Sequence, residues 1–380
     1  MQYRSERNLF GESTPSFNRD RIKQARELAG LTQNELAEKI DVQQAWIAKI
    51  ESGRKAPSRE LMAKISQATD QPLSFFAQDS ILELGDGTLL FRAKADISRK
   101  KEIEARRHAE IVLEMLLRFA ERFDQIPVAI APVHDRPAAA AQEVRQQLGL
   151  DATKPVPHLL RSVEKAGGIV LGIPALKDRD AFAIWVGSGA ALPIIAIAEG
   201  TSPDRVRLSA AHELGHLVLH KRASVASRTL EIEAYAFAAE LLAPEQGIRP
   251  ELEAEKITLE RLGQLKLRWG MSMQALLRRA SELSVINERQ YRYLIQQLGI
   301  RGWRLHEPTQ FDIPLEKPRL LCQMAEHIYG KPLDYSRIAG DVYLTSQAVQ
   351  SILSRYASTA EATVQDVPSN VVRFPYAASR

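Results

Sequence analysis

The stretch "AAHELGHLVLH", Ala210–His220, places two histidines four residues apart, with a glutamate directly after the first. A helix turns once per ~3.6 residues, so His212 and His216 fall one turn apart on a single face and can share a metal ion. Glu213 stands at the edge of that face, where a carboxylate can take a proton from a metal-activated water. That is the physical content of an H-E-x-x-H pattern. The same residues would also suit an ordinary amphipathic helix that carries histidines, and the pattern alone leaves both readings open. The helix itself is well specified. Ser202 is placed to cap it and Pro203 to open it, and Val206, Leu208, Ala211, Leu214 and Val218 follow with apolar helical spacing. Gly215 costs roughly 1 kcal/mol against alanine in a helix. A small residue there is expected to admit the close approach of another element or a substrate.

An open catalytic zinc site needs a third protein ligand. Downstream lies "RTLEIEAYAFAAELLAP", an apolar helix stopped by Pro244. Glu231, Ala234 and Ala238 share a face, so Glu231 can project toward the histidines. Glu233 points roughly 200° away on the helical wheel and is expected to be solvated, and Glu240 also lies off the Glu231 stripe. His220 continues the His216 face by another turn. It is expected to be packed or at the solvent edge, because a fourth protein ligand would close the site.

"RLSAAHELGHLVLH" followed by "EIEAYAFAAELLAP" resembles the ImmA/IrrE family of metallopeptidase domains, over about residues 140–300. The resemblance implies a zincin-like fold of mixed helix and strand, Zn2+ bound by His212, His216 and Glu231, and Glu213 as catalytic acid/base. Asparagine is common in that family four residues after the ligand glutamate; here the position is Tyr235, which bears on how the ligands are oriented. "GGIVLG", "AFAIWV" and "PIIAIA" read as short strands before the histidine helix. Of these, "PIIAIA" (193–198) is the expected sheet edge along which an extended substrate would lie.

The segment "NRDRIKQARELAGLTQNELAEKIDVQQAWIAKIESGRKAPSRELMAKISQATDQPLSFF" has dense helical periodicity. Ile22, Ala25 and Leu28 mark one helix, which Gly30 stops. Thr32 and Glu35 form a capping box for a second helix, and Gln43 is placed to cap a third that carries Ala45, Trp46, Ile47 and Ile50. Two short helices on a tight turn, the second displaying polar residues, are a helix-turn-helix. "GLTQNELAEKI" and "IAKIESGRKAPS" resemble the XRE family of lambda-repressor-like domains. By that resemblance Gln43, Gln44, Ala45 and Lys49 lie at the DNA-facing start of the third helix, while Gln33, Arg54 and Lys55 hold phosphates. Many ImmA/IrrE proteins carry such a domain in front.

The rest of the chain is less pointed. "RKKEIEARRHAEIVLEMLLRFAERF" predicts one long helix. "IAGDVYLTSQAVQSILSRY" (338–356) faintly resembles a second helix-turn-helix, with Thr345 as cap. Cys322 reads as a small buried residue. With 380 residues, 45% hydrophobic, the chain can bury more than one core. One cysteine excludes an internal disulfide framework and suits a reducing cytoplasm; no run approaches the ~18 apolar residues of a membrane span. A net charge of +4 is compatible with nucleic acid without requiring it.

The expected architecture is multidomain and mainly α. It comprises a flexible arm (1–17), a helix-turn-helix bundle (18–78), a helical linker (79–139), an α+β zincin-like metallopeptidase domain with a small sheet (140–300) and a helical C-terminal extension with an irregular tail (301–380). The expected function is a cytoplasmic transcriptional regulator that binds a double-stranded DNA operator, alone or as a homodimer. Its zinc metallopeptidase domain would cleave a protein such as a repressor or antitoxin, the substrate class implied by the resemblance. The rival reading is a non-enzymatic regulator whose peptidase-like domain senses a ligand or metal.

Overall fold

A computed structural model describes residues 17–79, 99–123, 128–133, 135–173, 181–186, 192–220 and 227–356. The expected arm, except for its last residue, and the irregular tail beyond residue 356 therefore lie outside the described residues, as does part of the expected linker. The protein is mainly helical with one small mixed sheet. It divides into two compact units: residues 17–79, 99–119 and 323–355 form one, and the described residues within 120–322 form the core of the other. None of the described helices is long and apolar enough to cross a membrane.

The first unit begins with α1 (Arg19–Leu28), α2 (Gln33–Lys39), α3 (Gln44–Glu51), α4 (Arg59–Thr69) and α5 (Leu73–Phe76). Ile22, Ala25, Leu36, Ile47, Ile50, Met62, Ile65 and Phe76 form its buried centre. Gly30 takes φ +64° after α1, a conformation that glycine adopts without steric cost. The Thr32–Glu35 capping box is present: the Glu35 backbone N–H donates to Thr32 Oγ1 at 3.1 Å, and the Thr32 N–H donates to Glu35 Oε2 at 2.6 Å. That N–H, with Lys100 at 3.0 Å, lowers the Glu35 pKa to about 2. Gln43 occupies the N-cap of α3 but makes no side-chain capping bond. α6 (Arg99–Ala120) belongs to the core of this unit. It buries Ala109, Val112, Met115, Leu116 and Phe119, and its carboxylates meet α1 in ion pairs. Arg21 Nη1 lies 2.7 Å from Glu114, and Arg107 bridges Glu27 and Glu110, each at 2.7 Å.

The second unit contains α7 (Pro137–Gln147), α8 (Leu159–Lys165), β1 (Ile169–Ile173), β2 (Ala181–Val186), β3 (Leu192–Ala198), α9 (Pro203–Leu219), α10 (Arg228–Leu242), α11 (Glu245–Glu253), α12 (Leu259–Trp269), α13 (Met273–Glu282) and α14 (Glu288–Ile300). The sheet order is β1-β3-β2. β1 runs parallel to β3 (Ile169 opposite Ile194) and β2 antiparallel to it (Ala183 opposite Ile195). This corrects the expectation that 193–198 is an edge strand. The near-continuous burial of β3 is that of a strand covered on both faces and paired on both sides. The border strand nearer the histidine helix is β2, whose burial is partly alternating.

α9 packs against β2, β3 and α10. Ser202 stands at its N-cap without a side-chain bond, and Pro203 is its first residue. Trp185 of β2 donates its indole N–H to the Leu217 carbonyl at 2.9 Å, which ties the sheet border to α9. Gly215 is the point of closest approach between α9 and α10: a Cβ there would lie 2.9 Å from Phe237 Cδ1 and 3.3 Å from Ala234 Cα. The close approach expected at Gly215 is thus that of α10. Glu240 is buried in an ion pair with Arg279 and accepts from Gln142 at 2.9 Å.

The C-terminal helices α15 (Leu320–Tyr329), α16 (Tyr335–Val342) and α17 (Ser346–Tyr356) follow. From residue 323 to 355 they are part of the first unit, so the chain leaves that unit after α6 and returns to it. Cys322 is buried.

Candidate metal centre and DNA-facing helix

α9 presents His212 and His216 one turn apart, and α10 brings Glu231 to them from its first turn. That turn is fixed by Ser227, whose hydroxyl accepts from the Leu230 N–H at 3.3 Å. The two Nε2 atoms are 3.1 Å apart. Glu231 Oε2 lies 3.5 Å from His212 Nε2, and Oε1 lies 3.3 Å from His216 Nε2. Two imidazole nitrogens and a carboxylate turned toward one point repel one another unless a proton or cation lies between them. A tetrahedral zinc with bonds of ~2.0–2.1 Å has ligand-to-ligand edges of about 3.3–3.4 Å, close to the edges observed here. The donor set and its spacing fit such an ion. Among the described residues, His212, His216 and Glu231 are the His/Cys/Asp/Glu cluster able to hold a metal ion.

Glu213, half-buried on α9, is not one of the three converging groups. Tyr235 lies one turn after Glu231, and its ring centroid is 4.2 Å from that of His212, covering one side of the imidazole. Arg278 in turn lies 5.8 Å from the Tyr235 ring centroid.

Two residues acquire relationships that a helical wheel does not show. His220 Nδ1 lies 3.0 Å from His216 Nδ1, and His220 Nε2 lies 2.9 Å from Glu233 Oε2. Glu233 is 41% exposed at its side chain, yet it is held by the buried imidazole of His220 rather than simply solvated. His220 is the C-cap of α9 (φ −119°, ψ 25°), so its ring leaves the helical stripe and can reach α10. The four-residue step from His216 to His220 was the available signal; the cross-helix pairing with Glu233 was not visible in either segment alone.

In the first unit, Asp41 at φ +57° makes the turn between α2 and α3. Gln43, Gln44, Ala45, Lys49, Arg54 and Lys55 are exposed on α3 and just beyond it, whereas Gln33 is half-buried. Gln33 Nε2 donates to Glu51 Oε2 at 2.8 Å, and its Oε1 accepts from Gln44 Nε2 at 2.8 Å. Glu51 is anchored by Arg26, whose Nε donates to it at 2.6 Å. The exposed amide of Gln44 is therefore oriented by a chain of bonds running back to α1. Lys55 Nζ sits 3.5 Å from the centroid of the half-exposed Trp46 ring.

A search of curated proteins finds no match to the chain. Two family models do match: a helix-turn-helix family over residues 22–76, and the IrrE N-terminal-like domain, a peptidase family, over residues 175–281. The second range contains β2, β3, α9 and α10, and so all three converging side chains. The chain thus joins a helix-turn-helix domain of the XRE-like kind to an IrrE-like peptidase domain.

Proposed function

We propose that the protein is a DNA-binding transcriptional regulator whose second unit is a zinc-dependent peptidase acting on a regulatory protein of the repressor or antitoxin class. The observation that carries this reading is the triangle of His212 Nε2, His216 Nε2 and Glu231, with edges of 3.1 to 3.5 Å. Three protein ligands leave a fourth position for water or substrate, the arrangement of a catalytic rather than a structural zinc.

A zinc ion held by His212, His216 and Glu231 would supply Lewis-acid polarisation of a carbonyl and acidification of a water. The other roles fall to this chain's own side chains. Glu213 accepts the attacking water's proton at its carboxylate and returns it to the leaving amine. The Tyr235 ring restrains His212 from one side. An extended peptide adds along β2, the border strand beside α9, where backbone hydrogen bonds can align it. In the first unit, α3 enters the major groove. Gln44 and Lys49 face base edges, Gln33 orients Gln44, and Arg54 and Lys55 face phosphates. The XRE-like domain sets where the regulator binds, and cleavage of the partner protein sets when its target is released.

The test is metal content in the purified full chain and in single alanine variants. The wild type should hold about one zinc per chain, and His212→Ala, His216→Ala and Glu231→Ala should each lose it. Glu233→Ala should still fill at saturating zinc. Full retention by Glu231→Ala would remove the carboxylate from the site and the reading with it.

A further inference from the structure

We infer that α16 and α17 form a second helix-turn-helix and that α17 reads double-stranded DNA. The basis is a residue-by-residue repetition, at a constant offset of 302, of the backbone plan of α2 and α3. Asp334 caps α16, accepting from the N–H groups of Ser336 and Arg337 at 3.0 and 3.1 Å; its counterpart Thr32 caps α2, accepting from that of Glu35. The turn residues Asp41 and Tyr343 both occupy the left-handed region, at φ +57° and +58°. The turn is closed by the same bond in each case: Val42 N–H to Ala37 O at 2.9 Å, and Leu344 N–H to Ala339 O at 3.2 Å. Thr345 stands where Gln43 does and caps the second helix, accepting from the Ala348 N–H at 3.2 Å. Ser346 opens α17 as Gln44 opens α3. The buried positions coincide as well: Ile338, Ala339, Val342, Val349 and Ile352 fall on Leu36, Ala37, Ile40, Ile47 and Ile50.

A left-handed φ is unusual for a bulky residue such as tyrosine and persists only where the surroundings impose it. At Tyr343, the Arg118 guanidinium of α6 lies 4.8 Å from the ring centroid. The turn is thus held against the same unit that contains α2 and α3.

With its apolar face committed to that unit, α17 turns Ser346, Gln347, Gln350, Ser351 and Ser354 outward, all of them exposed. The helix carries Arg355 and no carboxylate, so nothing on it repels phosphate, and Arg337 is exposed on the preceding helix. Glutamine can pair bidentately with adenine, and serine can donate to or accept from any base. A protein-binding face would be expected to centre on aromatic or aliphatic anchors, and this face has none. The polar face of α17, which carries no carboxylate although Asp334 and Asp341 are exposed on the α16 side of the motif, favours the major groove of DNA over a protein partner.

The experiment selects random-sequence duplex DNA with the full chain, then compares wild type, Gln347→Ala with Gln350→Ala, and Gln44→Ala. All the altered side chains are exposed, and unchanged thermal unfolding confirms that each variant is folded. The selected site should contain two blocks of sequence preference. The α17 double variant should relax one block and weaken binding about tenfold or more, while Gln44→Ala relaxes the other. A Gln350→Glu variant, which sets a carboxylate against the phosphates, should weaken binding at least as much. Selection of a single block, with both α17 variants binding as wild type, would overturn the inference and leave this face to a protein partner. Absence of any selected sequence would overturn it as well.

Discussion

The Nδ1 atoms of His216 and His220 lie 3.0 Å apart, and His220 passes on through its Nε2 to Glu233 at 2.9 Å. A metal held at His216 Nε2 would leave that ring's proton on Nδ1, from which it would be donated to His220 Nδ1. His220 would then carry its own proton on Nε2 and donate it to the Glu233 carboxylate. Each nitrogen has one role, and the chain fixes both the tautomer and the ring angle of His216. Outer partners of this kind typically contribute 10- to 100-fold in metal affinity. His220→Ala should therefore weaken zinc binding by roughly that factor, as read by competition with a chelator, without lowering occupancy at saturating zinc. Glu233→Gln keeps an acceptor oxygen and should lose less. Unchanged affinity in His220→Ala would show that the contact does not orient His216.

The contact at Gly215 makes a prediction of opposite sign to helix propensity. In an exposed helix, replacing glycine gains roughly 1 kcal/mol. Here an added Cβ would lie 2.9 Å from the fully buried Phe237 ring. Gly215→Val should cost about 1–3 kcal/mol in denaturant unfolding of the second unit. It should also weaken zinc binding, because it pushes α10, and Glu231 with it, away from α9. A stabilised variant would mean that the two helices are not packed at this distance.

Binding of DNA should fall steeply with salt as phosphate contacts release counterions. Arg54→Ala should weaken binding to all sequences alike and reduce the slope of log affinity against log salt by about 1. Gln44→Ala should relax sequence preference. Gln33→Ala should resemble Gln44→Ala rather than Arg54→Ala, because Gln33 is bonded to Gln44 and Glu51. Gel shifts across a salt series with selected DNA distinguish these patterns, and a Gln33→Ala variant that changes only the salt slope would return Gln33 to phosphate contact.

The parts of this molecule that were legible in the sequence are those written in one segment. The four-residue step from His212 to His216, the Glu231 stripe with its small neighbours and the Thr32–Glu35 box each depend on spacing within a helix. Relations between segments were less visible. The hydrophobic run of β3 reads as a strand, but its central place depends on β1 and β2 pairing on either side. The amphipathic pattern of α6 shows a helix without showing that Glu110 and Glu114 are buried against Arg107 and Arg21. The wheel of α10 alone points Glu233 to solvent, whereas its partner His220 comes from the end of α9.

The most direct measurement of the central claim is partner cleavage by Glu213→Gln, followed together with zinc content. Glu213 stands outside the converging ligands, so the variant should keep its zinc, and DNA binding by the first unit should be unchanged. The amide has nearly the same shape but cannot take the water's proton. General acid–base catalysis typically contributes 100- to 10,000-fold, so cleavage of the partner protein should fall by at least about 100-fold. Cleavage by a zinc-loaded Glu213→Gln protein at the wild-type rate would contradict the mechanism. Regulation that persists in both forms with no cleavage by either would identify the second unit as a sensor.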